Sequence, residues 1–248
     1  MRRYILLSSI LLTLWTSAGA QYLWRTMRVE LTGSLGTSMF FGDIGGYTPT
    51  ENALGFKDLI LTNTRFNISG DITYRATRDV NVRLNMAYGM FHSSDKKGSN
   101  EARGLESTTS FFEQAIIGEY YFIKNRSEAS YLFNKRRGTG LKTFFESLDF
   151  YIFTGIGGLA YNVSGNDETR IKAENGFTAI IPVGVGVNMI STPEFNFGIE
   201  LGGRYSFSDY LDGYTSQYSE SNDVYYFLNV SFTYKMPTTV KGVPRFMK

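Results

Sequence analysis

Phe66-Asn67-Ile68-Ser69-Gly70-Asp71-Ile72-Thr73-Tyr74-Arg75 separates into two interleaved sets. Phe66, Ile68, Gly70, Ile72 and Tyr74 fall in one register, and Asn67, Ser69, Asp71, Thr73 and Arg75 fall in the other. Successive side chains on a strand point to opposite faces, so this period of two describes a strand with one apolar and one polar face. The pattern recurs along the chain. Val80, Val82, Leu84, Met86, Tyr88 and Met90 oppose Asn81, Arg83, Asn85, Ala87 and Gly89. Phe195, Phe197, Ile199, Leu201 and Tyr205 oppose Asn196, Gly198, Glu200, Gly202 and Arg204. Tyr226, Leu228, Val230, Phe232 and Tyr234 oppose Asn229, Ser231, Thr233 and Lys235, while Ala179, Ile181, Val183, Val185 and Val187 share a face.

Three further segments carry weaker signals. Val29, Leu31, Gly33 and Leu35 alternate with Glu30, Thr32, Ser34 and Gly36, which reads as a first strand. The stretch 109–123 places Glu113 and Glu119 on one side with a mixed other side, and 148–161 is apolar on both faces, so its facing stays open. About eight strands result, and no stretch of similar length has a helical period. Short turns at Ala76-Thr77-Arg78-Asp79 and Ser191-Thr192-Pro193-Glu194 alternate with long polar segments at 42–65, 92–108, 162–176 and 207–223. Short turns at one end and long loops at the other describe an all-β, eight-stranded antiparallel transmembrane β-barrel of the outer membrane. One connection departs from that rule: residues 124–146, expected at the short-turn end, form a long basic excursion.

The polar register decides which face meets lipid. Asp71, Arg75, Arg83, Glu113, Glu119, Glu200 and Arg204 lie mid-strand with both signs interspersed. Such charges can pair across a narrow lumen, whereas a carrier's cavity needs apolar walls. They are therefore expected to form a lumen charge network. Tyr74, Tyr88, Tyr120, Tyr121, Tyr205, Tyr210 and Tyr234 stand near strand ends, where amphipathic rings favour a membrane–water boundary. About eight strands leave an interior that side chains just fill, so a plug of paired charges is expected rather than a pore.

Composition excludes other classes. The 248 residues are 42% hydrophobic and 16% aromatic, too rich in aromatics for a disordered chain. The absence of Cys excludes a disulfide scaffold and thiolate zinc sites, and leaves His92 as the one possible histidine base. Residues 1–20 read as a signal peptide: Arg2 and Arg3, an apolar run from Tyr4 to Trp15, then Ala18-Gly19-Ala20. The barrel is expected over 21–235 and a C-terminal tail over 236–248. Without Arg2 and Arg3, the 25 Lys+Arg fall to 23 and balance the 23 Asp+Glu, so no nucleic-acid partner is expected.

Glu30-Leu31-Thr32-Gly33-Ser34-Leu35-Gly36 with Phe41-Gly42-Asp43-Ile44-Gly45-Gly46 resembles the opening of the PorG-like outer-membrane proteins of the type IX secretion and gliding machinery. Phe150-Tyr151-Ile152-Phe153-Thr154-Gly155-Ile156-Gly157 is similar to that family's fifth strand. Gly203-Arg204-Tyr205-Ser206-Phe207-Ser208-Asp209-Tyr210-Leu211-Asp212 is similar to its late motif. The resemblance covers nearly all of the chain after residue 20. It implies a non-enzymatic accessory barrel, set in outer-membrane lipid and associated with the machine's periplasmic ring, a lipoprotein and its partner. The chain departs from a usual barrel ending in its tail and in Asn229, where an assembly signal often has Gly.

Candidate chemistry is sparse, and no cofactor, metal or catalytic site is expected. His92, Ser93 and Asp95 sit too close in sequence to form a triad, whose members are aimed from separate elements, so a solvated loop histidine is expected. Gly42-Asp43-Ile44-Gly45-Gly46 lacks the lysine and helix of a phosphate loop and reads as a rim turn. Asp209, Asp212, Glu220 and Asp223 have no cation-loop spacing, and a solvated acidic loop is expected. The excursion is the expected partner contact, through Tyr131, Phe133, Lys135, Arg136 and Arg137, since arginine and aromatics anchor interfaces. Its neighbours Lys124, Arg126, Leu132, Lys142, Phe144 and Phe145 share that character. A barrel with adhesin-like outer loops, an exported lipocalin-like carrier and an outer-membrane lipid-modifying enzyme are the alternatives.

Overall fold

A computed structural model describes residues 26–45, 63–97, 101–124, 141–215 and 222–238. Eight strands follow in order: β1 (Val29–Phe41), β2 (Arg65–Arg75), β3 (Val80–Ser94), β4 (Glu106–Ile123), β5 (Leu148–Gly165), β6 (Asn175–Ile190), β7 (Phe195–Ser206) and β8 (Val224–Met236). Each pairs antiparallel with its chain neighbours, and β1 closes on β8, from Val29 opposite Met236 to Phe41 opposite Val224. Closure removes every sheet edge, which is what lets a sheet cross a layer with no water to bond its backbone. Among the described residues the remaining regular elements are α1 (Leu141–Glu146) and two 3-10 turns at Asp95–Lys97 and Glu101–Arg103.

The apolar register faces outward all round. Leu35, Ile156 and Phe177 are 65%, 70% and 76% exposed, and Ile68, Leu84, Val185, Ile199, Leu201 and Val230 stand with them. A water-soluble surface tolerates apolar patches of only a few hundred Å². A continuous belt around a closed barrel is instead a hydrocarbon-facing surface, and the chain spans the outer membrane with strands. The inward-facing apolar rows of a lipocalin-like carrier are not what the structure holds. Both short turns, 76–79 and 191–194, share the end where β1 begins and β8 finishes, which is the periplasmic end of such barrels.

Several expectations are corrected. Seven of the eight strands run 12 to 18 residues, longer than the roughly 9–11 needed to cross, so several project beyond the outer surface. The outer connections shrink accordingly, to 95–105 and 166–174 for two of the four. Hydrogen-bonded pairing continues where the apolar–polar contrast has already faded, so periodicity alone ends the strands too early. Met236 belongs to β8, and the Thr238 N–H donates to the Thr26 carbonyl, so the barrel continues past residue 235. The expected signal segment 1–20 and tail residues 239–248 lie outside the described residues.

The open facing of 148–161 is resolved by its partners. Asp149, Tyr151 and Phe153 of β5 turn inward and Ile152 and Ile156 outward. Gly186 of β6 lies against the Tyr151 ring, in space that any Cβ would overlap. Glycines on one wall of the lumen thus accept the rings of another.

Candidate functional site

The lumen has two layers of different chemistry. In the periplasmic half Arg83 is the hub. Its Nη1 lies 2.7 Å from Glu200 Oε2 and 3.3 Å from Glu119 Oε1, and its Nε lies 3.9 Å from Asp71 Oδ1. Asn85 donates to Asp71 at 2.6 Å, Asn81 to Glu119 at 3.0 Å, and the Tyr151 hydroxyl to Glu200 at 2.9 Å. Arg75 sits 3.9 Å from Glu30 at the lower rim. These groups are all buried. The Asn and Tyr donors serve the carboxylates and offset part of their desolvation, while Arg83 holds its place through charge, its Nε and Nη2 making no hydrogen bond. The hollow between them, bordered by Thr32, Ser69, Asn229 and Ser231, measures about 20 Å³, room for about one water.

Above it the lumen turns aromatic. Arg204 and Glu113 approach to 3.5 Å, the guanidinium lies 4.1 Å from the Phe227 ring centre, and the Tyr225 hydroxyl donates to Glu113 at 2.7 Å. Phe40 stacks on Phe91 at 5.4 Å, Phe91 on Phe111 at 4.3 Å, and Phe111 on Phe227 at 5.5 Å. Leu159, Ile180 and Leu211 complete this apolar layer. Paired charges therefore fill only half the lumen, and a stacked aromatic layer fills the rest. Its sequence signal is the place where both registers turn apolar together: Met90-Phe91, Phe111-Phe112 and Tyr225-Tyr226-Phe227-Leu228.

A folded cap covers this layer from outside. Asp95 accepts from Arg103 Nε at 2.7 Å and from the Gly45 and Leu105 amides at 2.9 and 3.1 Å, and Arg103 lies over the Tyr214 ring. Gly45 has φ +85°, and a Cβ there would sit 2.6 Å from the Ser94 carbonyl oxygen, so the rim turn needs glycine. Asp212 accepts from the Ile44 and Tyr214 amides, both at 3.0 Å, and Asp223 accepts from the Leu211 amide at 2.8 Å, drawing Leu211 down onto the rings. These carboxylates are thus buried braces, not members of a solvated acidic loop. Among the described residues no group of three or more His, Asp or Glu is arranged to hold a metal, and Glu220 lies outside them.

Burial raises both braces, Asp212 to about 7 and Asp223, which also feels Asp212, to about 9. Asp43 and Asp209 add to the effect on each. A carboxyl raised in the folded state stabilises the cap most when protonated, and that stability falls as pH climbs from the ordinary aspartate range through the raised values. Proteolysis of the outer loops in reconstituted vesicles should therefore accelerate from about pH 5 to about pH 9 beyond the protease's own pH profile. Asp223→Asn should flatten the rise, and an unchanged slope would contradict the assignment.

The remaining expected sites are placed as follows. His92 lies on strand β3, not in a loop. Its Nδ1 is 3.1 Å from Thr108 Oγ1 on the outer face, while Ser93 turns inward and Asp95 braces the cap, so these three do not converge. Tyr121 is buried in the lumen, with its hydroxyl 3.2 Å from Glu119, and is not part of the girdle. Tyr74, Tyr88, Tyr120, Tyr205 and Tyr210 do face outward. Tyr131, Phe133, Lys135, Arg136 and Arg137 lie outside the described residues. Beside that segment, Lys124 donates to the Arg78 carbonyl at 2.6 Å, and Phe144 and Phe145 are exposed by 41% and 63%.

The sequence matches the Domain of unknown function (DUF6089) over residues 5–239, and the chain belongs to that family. Among proteins of curated function, none matches it. Solved structures with a similar fold include Neisserial surface protein A (NspA), at 11% identity and TM-score 0.45 over 84% of this chain and 96% of that one. The N-terminal β-barrel domain of Pseudomonas aeruginosa OprF follows at 14% and 0.43, over 84% and 98%. Ail, the attachment invasion locus protein of Yersinia pestis, solved with the heparin analogue sucrose octasulfate, follows at 13% and 0.41, over 84% and 99%. At this identity the likeness is one of fold.

Proposed function

We propose that this DUF6089 chain is a sealed, non-enzymatic outer-membrane barrel that serves as an accessory component of a type IX protein secretion machine. It contacts the machine's periplasmic ring, a lipoprotein and its partner, through the connection between β4 and β5. The observation that carries this reading is the asymmetry of the periplasmic end. Two connections there take four residues each, at 76–79 and 191–194, while the third occupies 124–147. A barrel needs no such length to turn a chain round, so the insertion has another use. Its basic and aromatic residues, with Phe144 and Phe145 exposed beside the rim, have the composition of an interface anchor. The PorG-like opening and late motifs supply the identity of the partner.

Replacing Lys135, Arg136 and Arg137 together by Glu should reduce recovery of the ring proteins in membrane pull-downs by about ten-fold. The barrel should still show the gel shift between unboiled and boiled samples that marks a folded barrel. Unchanged recovery would remove this contact. A wild-type pull-down without ring proteins would remove the secretion role.

A further inference from the structure

The barrel wall has one weak seam among its described pairings. Between β5 and β6 the pairing stops at Thr154 opposite Val183 and resumes only at Gly157 opposite Ile180. Pro182 lies in this gap. Proline carries no N–H, and within sheets it belongs at edges or bulges, so a proline inside a closed wall marks a place where two strands part. On its other side β5 is pressed onto β4. A Cβ on Gly155 would overlap the Ile116 carbonyl, and one on Gly157 would overlap the Gln114 carbonyl and Ala115. Pro182 cannot donate across the gap, and the pairing of β5 with β4 runs on unbroken past Gly155 and Gly157, so the wall is unpaired here only on the β6 side.

An open apolar groove of about 580 Å³ lies on the outer face of this part of the wall, across strands β3 to β6. Leu84, Ile116, Ile156 and Ile181 line it at mid-strand, and Ala179 and Phe207 line it toward the outer end. Ala115 and Ile180, whose side chains turn inward, also border it, so the groove cuts to the plane of the backbone. Gln114 is its polar member.

We infer that this groove binds the acyl chain of an outer-leaflet membrane lipid, with Gln114 bonding the linkage between chain and headgroup. Its place fixes the class of occupant. The groove lies within the outward apolar belt, so the medium that reaches it is hydrocarbon. It runs from mid-strand toward the rim that carries Phe207 and the neighbouring Phe177, so it opens to the outer leaflet. A flexible tail can lie along an open apolar groove without displacing ordered water, and an amide supplies the donor and acceptor that an ester or amide linkage needs. The inference is separate from the secretion role and survives its failure.

The test is photolabelling of the full-length barrel in lipid nanodiscs with a phospholipid carrying a diazirine in its acyl chain. Adducts should concentrate on peptides of β4, β5 and β6, rather than spread evenly round the belt. Ala179→Trp fills the groove from an outward position and should lower that labelling by about five-fold, while Leu228→Trp on β8 should leave it unchanged. The gel shift on boiling reports whether each variant is folded, and Ala179→Leu substitutes if the tryptophan variant is not. Even labelling around the barrel, or labelling indifferent to Ala179→Trp and Ala179→Leu, would overturn the proposal. So would photocrosslinking from position 179 in intact membranes that captures a protein in place of lipid.

Discussion

Arg83→Met should lower the unfolding free energy of the barrel by about 3–5 kcal/mol, seen as a fall in the urea midpoint for the barrel folded into lipid vesicles. The guanidinium is the shared partner of Asp71, Glu119 and Glu200, which reach it from β2, β4 and β7. Removing it leaves carboxylates facing one another where water has little room, and that is the costly way to break a buried network. The companion variant separates the charge effect from simple loss of packing. Glu119→Gln and Glu200→Gln added to Arg83→Met should recover much of the loss, because neighbouring groups in one network are not additive. An unchanged midpoint for Arg83→Met would mean that the hub holds nothing together.

Phe111→Ala should cost about 3–5 kcal/mol by the same measurement, the range for removing a buried ring that its surroundings do not refill. Phe111 is 2% exposed and sits between Phe91 and Phe227 in the stack. The functional counterpart is electrical. The wild-type barrel should carry no steady current in a planar bilayer, because the aromatic layer closes the lumen above the charged one. Phe91→Ala and Phe111→Ala together thin that layer and should give a measurable leak. A steady wild-type current would show that the stack is no seal, and the sealed-barrel basis of the accessory role would fall with it.

These two results probe layers that differ in how far they can be read in advance. Asp71, Arg75, Arg83, Glu113, Glu119, Glu200 and Arg204 all announce their inward facing, because each falls in the polar register of its strand. The aromatic layer is harder to see. Phe91, Phe111 and Phe227 share a register with charges, and next to Met90, Phe112 and Leu228 they make the pattern read as noise. Tyr121 shows the same difficulty in reverse. A tyrosine near a strand end suits the membrane boundary, and only its parity with Glu119, two residues away on the same face, sends it inward. Asp95, Asp212 and Asp223 lie in loops, where no period applies, and their role as braces depends on amides from distant segments.

Local pattern alone determined that the chain alternates through about eight antiparallel strands, and which side meets hydrocarbon where the alternation is clean, because alternation is a property of neighbouring residues; the facing of β5 and the strand ends came from the partners. Tertiary structure decided what closing the sheet brought together: three carboxylates on one guanidinium, four stacked rings above them, and a seam beside Pro182 where β5 and β6 are unpaired. Several of those contacts join residues more than a hundred positions apart, such as Arg83 with Glu200 and Phe111 with Phe227. Their pairing depends on register around the whole barrel, a quantity no single stretch of chain contains.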